Sequence, residues 1–118
     1  MPGPAGLRSI DVPGACYTLS GMLEKLKGDI ELLDRHIGVM KEVMEHEPIG
    51  IVKLSLLMDL PYHRIRYSLR VLEQMGYIQA SPAGAVTTGQ ARKLLGNLDG
   101  DVDELVALLM TLKETGTR

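Results

Sequence analysis

The segment from Pro61 to Thr88, PYHRIRYSLRVLEQMGYIQASPAGAVTT, constrains the fold more than any other part of this sequence. In its first half, Ile65, Leu69 and Leu72 follow one another at steps of four and three residues. This spacing is typical of the apolar face of an amphipathic α-helix, because residues three and four apart lie on the same side. The segment therefore predicts a helix over 61–75.

The second half of the segment predicts a β-hairpin. Gly76 lies where a glycine commonly ends a helix. Two short runs of residues suited to strands follow it, on either side of the turn-forming sequence Ser81-Pro82-Ala83-Gly84. We expect these runs to pair over 77–88, so that a helix leads directly into a two-stranded hairpin.

The composition favours helices for most of the remaining chain. The 118 residues include seven Met but no Phe or Trp, so the core must consist mainly of Leu, Ile, Val and Met. A chain of this length suits one domain, expected over 21–118 after a flexible Pro- and Gly-rich arm over 1–20. The Gly96-Asn97 pair is expected to end one helix before the last begins. The predicted helices are 22–46, 51–58, 61–75, 90–95 and 100–114.

Two of these helices carry long apolar stripes in which steps of three and four residues alternate. The first stripe is Leu23, Leu26, Ile30, Leu33, Ile37, Met40 and Met44, and the second is Leu98, Val102, Leu105, Leu109 and Leu112. A stripe of this kind is either the core face of an amphipathic helix or the seam of a coiled-coil dimer, and the two can apply to different halves of one helix.

We expect a symmetric homodimer, because the central segment already supplies a core without these stripes. The predicted dimer interface is Leu23, Leu26, Ile30, Leu33, Ile37, Leu98, Val102, Leu105, Leu109 and Leu112.

Positive charge is concentrated in the middle of a mildly acidic chain. The formal net charge is −2, yet the segment 49–95 carries four net positive charges and the rest carries six net negative ones. Local charge matters more than the total for steering a partner, because salt screens charges beyond about 8–10 Å. The single cysteine, Cys16, excludes an intrachain disulfide, and the first residues have no apolar run typical of a signal peptide or membrane span. We expect a cytoplasmic protein.

The order of these features resembles a winged helix-turn-helix. The resemblance rests on IVKLSLLMDLPYHRIRYSLRVLEQMGYIQASPAGAVTTGQARKLL, residues 49–95, and above all on VLEQMGYI, which is similar to the end of a recognition helix leading into a wing. Leu54, Leu57 and Leu60 fall where that family buries its second helix and turn. The layout is similar to small dimeric prokaryotic regulators of the broad MarR, ArsR and PadR type.

The resemblance implies a mainly α fold with a small β-hairpin wing, flanked by N- and C-terminal dimerisation helices. It also implies sequence-specific binding of double-stranded DNA and regulation of transcription, with helix 61–75 in the major groove. A rotation of about 100° per residue places His63, Tyr67 and Arg70 opposite Ile65.

An arginine side chain can make two hydrogen bonds to the edge of a guanine, and a glutamine side chain can make two to the edge of an adenine. This face therefore carries groups suited to reading bases. We expect His63, Arg66, Tyr67 and Arg70 to contact bases, and Lys53 and Arg64 to contact phosphates. The wing has no Lys or Arg between Gln79 and Thr88, and the basic residues just beyond it can compensate. The full predicted DNA-binding set is Lys53, Tyr62, His63, Arg64, Arg66, Tyr67, Arg70, Gln74, Arg92 and Lys93.

Other functions have less support. The sequence has no Gly-rich phosphate loop, Gly-x-Ser-x-Gly motif or His-Asp-nucleophile cluster, so we expect neither an enzyme nor a cofactor. Glu42 and His46 share a helix face, but with Cys16 far upstream and no CxxC or HxxxH we expect no metal site. A small-molecule effector would have to bind between helices at the dimer interface, and no motif supports one.

The alternative is a winged-helix module that binds another protein. Its basic helix would then meet an acidic partner. The negative net charge and the uncharged wing favour this alternative.

Overall fold

The computed structural model describes residues 18–118, which form four helices and one antiparallel hairpin. In chain order the elements are α1 (Leu19–His46), α2 (Ile51–Met58), α3 (Tyr62–Gln74), β1 (Ile78–Ser81), β2 (Gly84–Thr87) and α4 (Gly89–Thr117). The predicted mainly helical fold with a small hairpin is confirmed. Cys16 and the predicted arm up to residue 17 lie outside the described residues, whereas Leu19 and Ser20 belong to α1.

The chain divides into two compact units within α1, between Gly38 and Val39. In the first unit, Thr18 caps the start of α1: the Gly21 N–H donates to Thr18 Oγ1 over 2.8 Å. A side-chain oxygen that accepts from the third helical N–H satisfies a group with no partner inside the helix. The cap is therefore Thr18. The residue type of Ser20 also predicts a cap at this end, but Ser20 lies inside the helix.

The second unit has a core of aliphatic side chains and methionine. The buried set is Val39, Met40, Val43, Ile49, Leu54, Ile65, Leu72, Ile78 and Ala91. Full burial of a Leu, Ile, Val or Met side chain contributes about 1.5–3 kcal/mol, so these residues hold α2, α3 and the hairpin together. The first stripe is thus divided: Met40 is buried in this core and Met44 packs against it.

A left-handed residue ends α2. Asp59 has φ 54°, and the Leu60 N–H donates to the Ser55 carbonyl over 3.2 Å, which satisfies an end carbonyl of the helix. Leu54 is buried and Leu60 half-buried, as expected, but the predicted burial of Leu57 is wrong, since 45% of this residue is exposed. The face of α2 that packs on the core carries Ile51, Leu54 and Met58, and Leu57 lies at the edge of that face.

Gly76 ends α3 as predicted. Its φ is 89°, its N–H donates to the Glu73 carbonyl over 3.1 Å, and the Tyr77 N–H donates to the Leu72 carbonyl over 2.9 Å. This pair of bonds requires a left-handed residue after the helix, which glycine adopts at the lowest cost. The turn directs the chain from α3 into β1.

The hairpin pairs Ile78 with Thr87 and Ser81 with Gly84. Each strand begins one residue from its predicted position. Ile49, before α2, adds an isolated bridge to Ala85 through two backbone hydrogen bonds of 2.8 and 3.2 Å. The residue after the turn must be glycine here, because Gly84 has φ 135° and a Cβ atom would lie 2.7 Å from the Ile49 carbonyl carbon.

The prediction of two separate helices at 90–95 and 100–114 is wrong, since α4 runs without a break from Gly89 to Thr117. Neither Gly96 nor Gly100 has a positive φ, so neither ends the helix. A glycine inside a helix lowers its stability by about 1 kcal/mol relative to alanine. Ending the helix and starting another one would require a second nucleation step and would leave backbone groups at both new ends without partners. Asp99 and Asp101 therefore lie inside α4 and cap nothing.

The spacing of Thr87 and Gln90 predicts a capping box at the start of α4, and this prediction is wrong. Thr88 is the residue before α4, with no side-chain cap, and its Oγ1 donates to the Gly76 carbonyl over 2.6 Å. The Thr87 N–H and Oγ1 instead donate to the Glu47 carboxylate over 2.7 and 3.0 Å. These contacts attach the hairpin to the α1–α2 connection.

None of the helices within residues 18–118 combines the length and apolar character that a bilayer-spanning segment needs.

Candidate nucleic-acid interface

The two faces of α3 differ in burial and in chemistry. Ile65, Ser68 and Leu72 are buried, and Leu69 is half-buried against the core. Ser68 was missed because it is polar, although it lies three residues after Ile65 on the same side of the helix. The apolar face predicted from the spacing of α3 is therefore the face that packs.

The opposite face of α3 is exposed along its whole length. All seven of its predicted contact residues are exposed: Tyr62, His63, Arg64, Arg66, Tyr67, Arg70 and Gln74. Within residues 18–118, no ion pair or side-chain hydrogen bond engages Arg64, Arg66 or Arg70. Three guanidinium groups on one short helix thus keep all their donors available, and Glu73 is the only acidic residue of α3.

The remaining predicted cations lie on other elements. Lys53 is exposed on α2, and Arg92 and Lys93 are exposed in the first turns of α4. No ion pair among the described residues involves any of the three. They are free to contact a polyanion.

The hairpin offers backbone and small side chains at its tip. Pro82 and Ala83 are exposed, and the Ser81 hydroxyl donates to the Gly84 carbonyl within the turn. Because the Ser81 hydroxyl is bonded within the turn, it is not a free donor for a ligand. None of the residues of the tip, Ser81 to Gly84, carries a charge.

One groove lies between the start of α2, α3 and the hairpin. It has a volume of about 280 Å³ and is lined by Ile49, Leu69, Glu73 and Ala80 among others. This volume is near the lower end of the range of about 300–1,000 Å³ that is usual for small-molecule sites, and Glu73 is the only charged residue of the lining.

The face of α1 with Glu42 and His46 also carries Glu45, and donor atoms of the three lie within 4.8 Å of one another. His46 Nδ1 is 3.1 Å from the Glu42 carbonyl, a contact that accounts for the ring position at the helix end. In the first unit, burial and then the nearby Arg35 charge lower the pKa of His36, which favours the neutral ring.

The two apolar stripes are exposed where the sequence predicted a dimer interface. Leu23, Leu26, Ile30 and Leu33 are 41–55% exposed, and Val102, Leu105, Leu109 and Leu112 are 41–50% exposed. Ile37 and Leu98 are half-buried. Single exposed leucines are ordinary on protein surfaces, but repeated ones on one helix face form a continuous apolar surface.

No protein-family model matches this sequence, and no curated protein matches it as a relative.

Proposed function

We propose that this protein is a dimeric, cytoplasmic winged helix-turn-helix regulator of transcription that binds specific sequences in double-stranded DNA. The observation that carries the proposal is the exposed face of α3, on which Arg64, Arg66 and Arg70 have no partner within the described chain.

The order of the elements supports the winged-helix assignment. The Ile49 bridge lies between α1 and α2 and pairs with β2, so the chain runs helix, bridge, helix, helix, hairpin, helix. The tight turn at Asp59 joins α2 to α3, and α3 then enters the hairpin through Gly76. This is the arrangement in which a winged helix presents its second motif helix to DNA.

The chemistry of α3 fits a major groove. A helix that reads bases needs an apolar face against its own domain and long hydrogen-bonding side chains on the other face. Arg66, Arg70 and Gln74 are suited to base edges, because their side chains carry paired hydrogen-bonding groups. Arg64 and Lys53, with the two cations at the start of α4, are suited to phosphates.

The proposed dimer gives the binding site its symmetry. A two-fold axis would place two copies of α3 about 34 Å apart, one turn of B-DNA, and would favour a pseudo-palindromic site. The exposed stripes on α1 and α4 supply the apolar surface for this dimer.

Fluorescence anisotropy with DNA from upstream of the protein's own gene tests the proposal, because small regulators commonly act on their own promoters. We expect tighter binding to this DNA than to a shuffled duplex, with an affinity that falls steeply as salt rises, because phosphate contacts release counterions. Weak binding to both duplexes at low salt would contradict the proposal.

The second candidate function is binding of an acidic protein through the same α3 face. It is favoured by the hairpin, which has no Lys or Arg from Gln79 to Thr88. If DNA binding fails at low salt, a pull-down with the immobilised protein, compared with an Arg66→Ala, Arg70→Ala double variant, tests this alternative. A retained protein that is lost in the double variant would support it.

A further inference from the structure

The exposed stripes of α1 and α4 have matching spacings when one is followed backwards. From Leu23 to Ile37 the steps are three, four, three and four residues. From Leu112 back to Leu98 the steps are also three, four, three and four. Two antiparallel helices with these spacings place an apolar residue of one opposite an apolar residue of the other at every layer.

We propose that each α1 pairs antiparallel with α4 of a second copy of this chain, in a register that joins all five layers. The layers are Leu23 with Leu112, Leu26 with Leu109, Ile30 with Leu105, Leu33 with Val102, and Ile37 with Leu98. This inference rests on the dimer of the proposed function and specifies which surfaces form it.

The partner is a second copy because the stripes are uncovered within one chain. The ten layer residues are exposed or half-buried in the single chain, whereas Met40, the next member of the α1 stripe, is buried in the core. From 99 to 118 every residue of the chain is exposed. Most of the stability of a protein helix comes from packing of its apolar face, so we expect a neighbour to cover this segment.

Other pairings cover less of this surface. Pairing α1 with α1 leaves the α4 stripe in water, and pairing α4 with α4 leaves the α1 stripe in water. In a parallel α1 pair, Asp29 would also face Asp34 of the second copy across the seam, where like charges repel. In a parallel pairing of α1 with α4, the register that matches the spacings places Leu23 opposite Leu95 and Leu112 opposite Met40. Leu95 and Met40 belong to the core of their own chain, so only four layers remain for the dimer.

The amount of apolar surface fits a stable dimer. In a two-fold arrangement the α1–α4 pair occurs twice, so each protomer buries ten large apolar side chains. Ten side chains that are each about half exposed supply on the order of 800 Å² of surface to bury per protomer. This is the size of a standard protein–protein interface.

The two helices differ in the width of their apolar faces. Val106, Leu108 and Met110 of α4 are also exposed and lie beside the stripe. A helix whose apolar face exceeds the narrow coiled-coil seam contacts more than one neighbour. The reciprocal pairs are therefore expected to join as a four-helix bundle, with each α4 touching both an α1 and the other α4.

Disulfide cross-linking between separate single-cysteine variants tests the pairing. Cys16 is the only cysteine, so both variants carry Cys16→Ser, and one adds Ile30→Cys while the other adds Leu105→Cys. The two proteins are refolded together, oxidised and analysed on a non-reducing gel. We expect a cross-linked dimer from the mixture and none from either variant alone, because a disulfide forms only when Cα atoms are about 4.4–6.8 Å apart.

A matched control fixes the register. Leu112→Cys replaces Leu105→Cys in the mixture, which leaves the cysteine on the same stripe but one heptad away, and we expect no cross-link. Equal cross-linking of the two mixtures would overturn the register, and a cross-link in either single variant would overturn the pairing. No cross-link in any sample would also overturn it.

The same samples separate this inference from the proposed function. Light scattering during gel filtration gives the oligomeric state of the unmodified protein, and anisotropy gives its DNA affinity. A dimer that cross-links elsewhere contradicts only the pairing, a monomer contradicts both the pairing and the dimer, and loss of DNA binding by a correctly cross-linked dimer contradicts only the proposed function.

Discussion

At the scale of single residues, the arginines of α3 show how a local pattern becomes a chemical surface. Arg66 and Arg70 lie one turn apart, so both side chains project from the same side of the helix as exposed, partnerless cations. Their availability follows from helix geometry and from the scarcity of carboxylates, since Glu73 is the only one on α3. It does not depend on a distant contact.

Replacing Arg66 or Arg70 with Ala is expected to weaken binding to the preferred DNA by about 1–3 kcal/mol if the residue contacts a guanine. Anisotropy titration at fixed salt measures the change. Lys41→Ala is the matched control, because Lys41 is an exposed cation on a different helix, α1. An affinity equally reduced by the control, or unchanged in both arginine variants, would contradict the groove assignment.

Gly84→Ala is expected to destabilise the second unit by about 1–3 kcal/mol, because a Cβ would meet the Ile49 backbone and φ is positive there. Urea unfolding followed by circular dichroism measures the loss. Gly96→Ala is the control, since nothing lies within 4 Å of its Cβ position inside α4. There we expect a gain of about 0.5–1 kcal/mol, and a loss of similar size at both sites would refute the steric argument.

At the scale of elements, the hairpin is held by Glu47, which lies forty positions before its hydrogen-bond partner Thr87. Glu47 accepts hydrogen bonds from the Thr87 N–H and hydroxyl. Ile49, two residues after Glu47, forms a β-bridge with Ala85. The turn residues predicted the hairpin itself, but these anchors have no local signal, because they join residues far apart in the sequence.

Glu47→Ala should destabilise the hairpin by about 1–2 kcal/mol, because it leaves the Thr87 donors with water as their only partner. Hydrogen exchange of the β1 and β2 amides reports the local loss. A double-mutant cycle with Thr87→Val isolates the contact to the hydroxyl. Strictly additive effects of the two substitutions would mean that this contact contributes nothing.

At the scale of the whole molecule, exposed apolar surface is the main unsatisfied feature of the single chain. The stripe of α1 divides at the boundary of the two units: its first members are exposed, whereas Met40 and Met44 belong to the core. The core interpretation is thus confirmed for the end of the stripe, and the dimer interpretation stays a proposal for its exposed first half.

Leu105→Asp is expected to convert the proposed dimer to a monomer and to lower its melting temperature, because it introduces a charge at the centre of the five layers. Light scattering measures the molecular mass, and circular dichroism during heating measures the melting temperature. Leu56→Asp is the control, since Leu56 is 77% exposed on α2 and lies outside both stripes. A dimer that survives Leu105→Asp unchanged would place the interface elsewhere.

The sequence by itself determined the features that depend on short-range geometry. The faces of α3, the end of that helix at Gly76 and the hairpin follow from steps of three and four residues and from the backbone freedom of glycine. Only the tertiary structure decided the burial of Ser68, the anchors at Glu47 and Ile49, and the continuity of α4 through Gly96. The physical reason is that these depend on free-energy differences of about 1–3 kcal/mol between competing partners, which a local pattern does not contain.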